Sequence, residues 1–259
     1  MSESRTHEAL VGHQFGSRAA AYLTSTPHAQ GADLQALAAL VMGQAEAHVL
    51  DLGCGAGHVS FHVAPHVKRV VAYDLSSGML DVVARAAAER GLSNIVTREG
   101  VAERLPFANE SFDFVLSRYS AHHWHDVEAG LREAARVLKP EGMAVFVDSI
   151  SPGQPLLDTH LQAVELLRDP SHVRSYSRAE WEAAIVRAGF RPGSLSAHHV
   201  RLEFATWVER MRTPKIQIDA IRALQSAMSV SVSQYFDVGP DGSFTLDVAT
   251  FQMSKARAR

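Results

Sequence analysis

Asp51-Leu-Gly53-Cys-Gly55-Ala-Gly57 links the apolar run His48-Val-Leu-Asp-Leu52 to residues 58–65, which read as a short helix. A short apolar run that ends on glycines reads as a buried strand. Glycine permits positive φ and lets a ligand approach the backbone, and the first turn of a helix offers unpaired N–H groups. Strand, glycine loop and helix together suit a nucleotide-like ligand. The spacing argues against two such ligands. The dinucleotide fingerprint Gly-x-Gly-x-x-Gly would place its third glycine at His58 or Ser60. A phosphate loop ends in Gly-Lys-Ser/Thr, whereas Gly57 is followed by His58 and Val59.

Working outward, residues 7–23 and 32–43 carry apolar positions at helical spacing, with Gly43 as a stop. Arg69-Val-Val-Ala-Tyr-Asp74 reads as a second buried strand that ends on an acid. Asp74 stands where a carboxylate can accept both hydroxyl hydrogens of a ribose. Ser76 or Ser77 caps the next helix, with Met79, Leu80, Val83 and Ala87 inward and Gly91 past its end. Residues 94–99, 111–117 and 143–150 read as three more strands. Between the last two, Asp126 caps a helix that Pro140 and Gly142 stop. Five short apolar strands alternating with helices predict a doubly wound α/β sheet. Ligands of such sheets bind beyond the carboxyl ends of the strands, just after positions 52, 74, 99, 117 and 149. The last hundred residues are less regular. Helices are expected over 156–168, 177–188, 204–212 and 215–229, and strands over 194–202 and 244–253.

The chain resembles the class I S-adenosylmethionine-dependent methyltransferases, in the type 11 subgroup that includes the quinone-biosynthesis C-methyltransferases. The resemblance covers about residues 12–150. It rests on the 51–57 loop, on Val71-Ala-Tyr-Asp-Leu-Ser-Ser-Gly-Met79, on Glu103-Arg-Leu-Pro-Phe107 with Ser111-Phe-Asp-Phe114, and on Arg136-Val-Leu-Lys-Pro-Glu-Gly142. It implies a Rossmann-like sheet of seven strands, mostly parallel with an antiparallel C-terminal strand, helices on both faces and helical cap insertions. It implies S-adenosylmethionine as methyl donor and S-adenosylhomocysteine as product. That donor carries no phosphate, so no lysine is needed. Asp51, Gly53, Cys54, Gly55 and Gly57 would flank its methionine part, and Asp74 would hold the ribose. Leu75 and Met79 would lie beside the adenine, with Val101, Ala102 and Glu103 along its edge. Ser117 and Arg118 would border the methionine part and the acceptor pocket. Phe15, Arg18 and Tyr22 would belong to an opening helix that closes over the donor. One position departs: relatives usually carry an acid at the place of Val101, where it binds the adenine amino group. The N–H of Ala102 is the group left to serve there.

Ser117-Arg-Tyr-Ser-Ala-His-His-Trp-His125 follows the fourth strand, on the acceptor side. His122 and His123 are adjacent and should point apart in either regular structure. No acid or cysteine stands at a metal-ligand spacing, so no metal is expected. His122 and Tyr119 are the candidates for a base that takes a proton from the acceptor, against ordinary structural roles. Methyl transfer needs mainly in-line positioning, so a reactive acceptor would need neither. Residues 151–176 and 203–230 interrupt the core pattern and are expected to form an acceptor cap. There Phe204, Trp207, Met211 and Ile218 offer an apolar face, which core packing or a dimer surface would explain equally. Cys54 reads as a small packing residue.

The 259 residues suit one domain, divided into a lid over 1–30, a donor-binding core over 46–150 and the cap. With 25 Lys and Arg against 28 Asp and Glu, nothing forms the basic patch that nucleic acid requires. The single cysteine excludes an internal disulfide and suits a reducing cytoplasm. No signal-like opening and no apolar run of about 20 residues is present, so a soluble cytoplasmic protein is expected. The function expected is methyl transfer to a small-molecule acceptor, with quinone precursors suggested by resemblance alone and a homodimer possible. Two alternatives are a non-catalytic donor-binding sensor or assembly protein, and an NAD-dependent oxidoreductase, which the missing fingerprint disfavours.

Overall fold

The computed structural model describes residues 6–16 and 31–256. In chain order the elements are α1 (His7–Gly16), α2 (Ala32–Val41), β1 (His48–Leu52), α3 (His58–Val63), β2 (Arg69–Asp74), α4 (Ser77–Glu89), β3 (Ile95–Glu99) and β4 (Phe112–Arg118). Then come α5 (Val127–Val137), β5 (Leu138–Ile150), α6 (Pro155–Arg168), α7 (Arg178–Arg187), β6 (Phe190–Leu202), α8 (Phe204–Arg210), α9 (Lys215–Ala227), α10 (Val230–Tyr235) and β7 (Phe244–Lys255). The expected helix over 7–23 is seen as α1; residues 17–23 lie outside the described residues.

The sheet has seven strands in the order β3-β2-β1-β4-β5-β7-β6. β1 pairs in parallel with β2 and β4, β2 with β3, and β4 with β5. β7 runs antiparallel to both β5 and β6. This is the doubly wound, mostly parallel sheet that the alternating pattern predicts. Strand residues point alternately to the two faces, and both faces are covered. Leu50, Leu52, Val71 and Phe146 pack with α5 and α7, through Leu131, Trp181 and Ile185. Val49, Val70 and Leu116 pack against α2 and α3, through Leu34, Leu37, Val59 and Val63. α6, α8, α9 and α10, with Phe244 and Leu246 of β7, build a separate apolar cluster around Leu161, Trp207, Ile221 and Phe236.

Some boundaries differ from expectation. α5 ends at Val137 and the chain enters β5 at once, so Pro140 and Gly142 lie in a strand and do not stop a helix. Leu138 pairs with Phe112, and Lys139 clamps Asp113 at 2.8 and 2.9 Å. A Cβ on Gly142 would stand 2.8 Å from the Asp113 carbonyl oxygen. β6 starts at Phe190, four residues early, and absorbs Pro192 at an irregularity in its pairing with β7. The helix expected over 215–229 ends at Ala227, and α10 follows it unforeseen. Among the described residues no helix is long and apolar enough to cross a membrane.

Candidate functional site

The parallel strands deliver their carboxyl ends to one edge of the sheet, and two adjoining clefts open there. The first, about 720 Å³, lies beyond β1, β2 and β3. Its floor is the loop after β1. The N–H groups of Gly53 and Cys54 both donate to the Tyr73 carbonyl, at 2.8 and 3.0 Å. Gly53 takes φ +70°, and a Cβ there would lie 1.8 Å from Ser120 Oγ. Gly55, at φ +50°, would point a Cβ into open space. Backbone folded this tightly and left bare on one side is a surface that a ligand can approach closely.

Asp74, half-buried at the end of β2, braces the loop. Its Oδ2 accepts from Gly55 N–H and its Oδ1 from Ser76 N–H, both at 2.9 Å. One acceptance at each oxygen leaves lone pairs on both. Burial raises the Asp74 pKa, against the pull of the N–H groups of Ser76 and Gly55. Leu75, Met79, Val101, Ala102 and Glu103 line the same cleft. Tyr73 Oη donates to the Val101 carbonyl at 3.1 Å and so sets the backbone of that edge. Glu103 Oε1 accepts from Asp126 N–H at 3.2 Å and steadies the start of α5. α1 forms the opposite wall. Its Phe15 meets His123 edge-on at 4.9 Å, and His7 Nε2 hydrogen-bonds the His123 carbonyl at 2.9 Å.

The second cleft, about 1230 Å³, lies between the β4 and β5 ends and α6 and α8. Phe15, Gly53, Gly55, Met79, Tyr119 and His123 line both clefts and make them one continuous space. Asp51, Cys54 and Arg118 border the second cleft only. Asp51 is 1 % exposed. Its Oδ2 accepts from Ser60 N–H and Oγ–H, at 3.0 and 2.6 Å. Its Oδ1 is buried without a partner among the described residues. Burial drives its pKa up to about 7 despite the Ser60 hydrogen bonds. Arg118 forms a buried pair with Asp33 of α2 at 2.5 Å and lies over the Tyr119 ring.

His122 and Asp148 form a dyad. His122 Nδ1 meets Asp148 Oδ1 at 2.5 Å, and the carboxylate also accepts from the N–H groups of His122 (3.3 Å) and Ser149 (2.8 Å). An ionised carboxylate only accepts, so the proton sits on Nδ1. Nε2 then has no partner among the described residues. Burial opposes the charged imidazole, but Asp148, followed by Glu165 and Asp169, outweighs it and raises the His122 pKa. His123 and His172 behave oppositely. Burial, then the His122 charge, lowers them to about 4 and about 2.

The expectation that His122 and His123 point apart is corrected. Residues 121–123 form a 3₁₀ turn, and the two rings lie 4.2 Å apart with His172 5.7 Å from His122. Two further differences concern Gly57 and Ser117. Gly57 lines neither cleft. At φ +83° it turns the chain into α3, and a Cβ would lie 2.9 Å from Val83 and 3.0 Å from Phe61. Ser117 lines neither cleft, and its buried Oγ has no partner among the described residues. Tyr119 lines both clefts, and burial raises its phenol pKa, so the hydroxyl holds its proton more firmly. Arg18 and Tyr22 lie outside the described residues. Cys54 is buried, its thiol pushed well up by burial. Among the described residues no group of three or more His, Cys, Asp or Glu could hold a metal ion.

Sequence reasoning missed Asp148, Glu165, Arg168, Asp169, His172 and Arg210. Asp148 had a signal, since it stands at the end of β5 where ligands of such sheets bind. The others come from α6, the loop after it and α8, and carry no local motif.

A family model described as a methyltransferase domain matches residues 50–146. The uncharacterized protein YafE of Escherichia coli (strain K12) is 52% identical over 204 residues, spanning 79% of this chain and 99% of that protein. The uncharacterized methyltransferase YcgJ of Bacillus subtilis (strain 168) is 36% identical over 200 residues, 77% of this chain and 79% of that one. The YcgJ crystal structure superposes with a TM-score of 0.83 at 33% identity, over 87% of this chain and 98% of that one. A demethylmenaquinone methyltransferase of Chlorobaculum parvum is 36% identical over 119 residues, 45% of this chain and 47% of the other.

Proposed function

The chain belongs to the class I S-adenosylmethionine-dependent methyltransferases, and from that premise we propose that it methylates a small molecule seated in the second cleft, while the donor fills the first cleft and reaches past the glycine loop to the Asp51 edge of the second. The observation that carries this reading is the continuity of the two spaces across Gly53, Gly55 and Tyr119. A donor lying along the loop would present its methyl group to the acceptor chamber.

The residues present suit that donor. The buried, unpartnered Oδ1 of Asp51 is matched by an α-ammonium group. The open lone pairs of Asp74 suit two ribose hydroxyls. Leu75, Met79 and Val101 give the cleft an apolar stretch for a purine, and the N–H of Ala102 can donate to a purine ring nitrogen, leaving the amino group without the acid that relatives carry at the place of Val101. When bound, the donor supplies an electrophilic methyl: the acceptor's lone pair bonds that carbon, the C–S electron pair returns to sulfur, and S-adenosylhomocysteine results. The protein's part is placement and proton handling. Asp148 orients His122, and Nε2 of His122 takes the proton of the acceptor group. We assign residues 46–150 to donor binding, 151–176 and 203–230 to the acceptor cap, and α1 to the lid. The demethylmenaquinone enzyme matches less than half of this chain, so its acceptor is a weak guide to the cap.

The test is transfer of labelled methyl from S-adenosylmethionine to a panel of small hydroxyl, amine and carboxyl compounds. Label on at least one small acceptor is expected. Donor binding with no transfer to any of them would favour a sensor or assembly role.

A further inference from the structure

Glu165 is the unexplained charge of the acceptor chamber. It sits on α6, is 7 % exposed and lines the second cleft. Its inward neighbours along that helix, Leu161 and Val164, pack in the cap's apolar cluster. Among the described residues no N–H or O–H donates to the Glu165 carboxylate. Arg168 Nη1 approaches to 3.6 Å, outside hydrogen-bond distance. That contact is an ion pair along the helix without a hydrogen bond, while Arg168 Nε donates to the Trp207 carbonyl at 3.0 Å and the guanidinium lies 4.9 Å over the Trp207 ring. A buried carboxylate without donors is costly to keep, and burial accordingly raises its pKa, against Arg168 and His122. A leucine would serve packing better. The carboxylate is therefore a recognition group awaiting a donor.

We propose that Glu165 accepts a hydrogen bond from an uncharged hydroxyl of the methyl acceptor, so that the substrate is a neutral, hydroxyl-bearing molecule with an apolar body. The proposal rests on the second cleft being the acceptor site. Three kinds of ligand could meet a carboxylate, and the surroundings separate them. An ammonium would enter beside Arg168 and Arg210, which already act on Glu165. A carboxylate would face Glu165, Asp169 and, behind His122, Asp148. Each would lose its hydration to meet like charge. A hydroxyl carries no charge and brings the donor that Glu165 lacks. The neighbouring His123 and His172 are held neutral by burial, so Arg168 and Arg210 stand against Glu165 and Asp169 and neither an ammonium nor a carboxylate meets an unbalanced countercharge. For the rest of the molecule, Trp207, Met211, Val200, Leu202, Leu246 and Val248 supply apolar walls.

The experiment is calorimetry on the full chain saturated with S-adenosylhomocysteine, using four matched probes. These are 4-propylphenol, its methyl ether 4-propylanisole, 4-propylbenzylamine and 4-propylbenzoate. On the wild type the phenol should bind about tenfold or more tighter than the ether, the worth of one hydrogen bond to a charged group, and tighter than the amine and the benzoate. In Glu165→Gln the phenol-to-ether ratio should fall below about threefold, with S-adenosylhomocysteine affinity and melting temperature unchanged or the latter raised. Equal binding of phenol and ether to the wild type, or preference for the amine or the benzoate, would overturn the proposal even if the variant fails to fold. A ratio that survives in Glu165→Gln would overturn it too. A wild-type protein that binds no S-adenosylhomocysteine would instead defeat the donor reading beneath it.

Discussion

The first cleft, proposed for the donor, and the second, proposed for the acceptor, are built by different means. Around the first cleft, backbone groups do most of the holding: Gly53 and Cys54 N–H on Tyr73, Gly55 and Ser76 N–H on Asp74. All of it comes from the ends of two neighbouring strands, β1 and β2. Around the second cleft, side chains do the work. His122 comes from the turn after β4 and is backed by Asp148 of β5, Glu165, Arg168 and His172 come from α6 and the loop after it, and Trp207 and Met211 from α8 and its end. A backbone site is set by local chain geometry and tolerates changes in the residues around it. A side-chain site changes with each cap residue, so one donor scaffold can serve many acceptors.

That contrast can be broken in several places. The largest effect is expected at His122. His122→Gln should lower the rate of methyl transfer by about 10²–10⁴-fold and leave S-adenosylhomocysteine affinity within about twofold, measured by turnover and calorimetry. Equal loss of both would join the two halves. The rate should also climb as pH rises through the His122 pKa, which burial opposes but Asp148 holds above 6.5, because only the neutral ring accepts a proton. Stability runs the other way. The charged His122–Asp148 pair contributes fully below the unfolded histidine value, and that contribution is lost as pH rises through the folded one. Melting curves of wild type and His122→Gln should therefore converge as pH rises.

Next comes the cap. Leu161, 1 % exposed, belongs to the α6 cluster, and Leu161→Ala should cost about 2–5 kcal/mol in urea unfolding. Donor affinity should hold, since the cap cluster lies apart from the β1–β3 loops. A collapse of donor binding would show that the halves fold as one cooperative site.

Asp74→Ala should weaken S-adenosylhomocysteine binding by about 1.5–3 kcal/mol. An unchanged affinity in calorimetry would remove the ribose assignment. The smallest effect concerns Asp51. Burial, countered by Ser60, sets its pKa at about 7, and a ligand ammonium favours the ionised form. Affinity should tighten by up to about tenfold per pH unit below that value and flatten above it. Asp51→Asn should remove the slope. A slope that persists in the variant would assign the proton elsewhere.

The legibility of the sequence follows the same division. The 51–57 loop, Asp74, the Ser76 and Asp126 caps and the alternation of strands are local signals, and the sheet is where they place it. Gly57 looked like a ligand contact because its spacing matches that of Gly53 and Gly55, yet its positive φ serves the turn into α3 and its hydrogen faces Val83. The histidines misled for a related reason. The rule that adjacent side chains diverge holds for helix and strand, but the 3₁₀ turn at 121–123 brings the rings together. Glu165 and His172 had no signal at all. Each is an ordinary polar residue in its own stretch, and only the folding of the cap onto the sheet turns them toward His122.

The central claim is that a backbone-built cleft beyond β1 and β2 holds S-adenosylmethionine. Calorimetric titration of the intact chain with S-adenosylmethionine, S-adenosylhomocysteine and NAD tests it most directly. The first two should bind with dissociation constants on the order of micromolar, about −8 kcal/mol, and NAD should give no heat. Binding of NAD with no response to the other two would contradict the account.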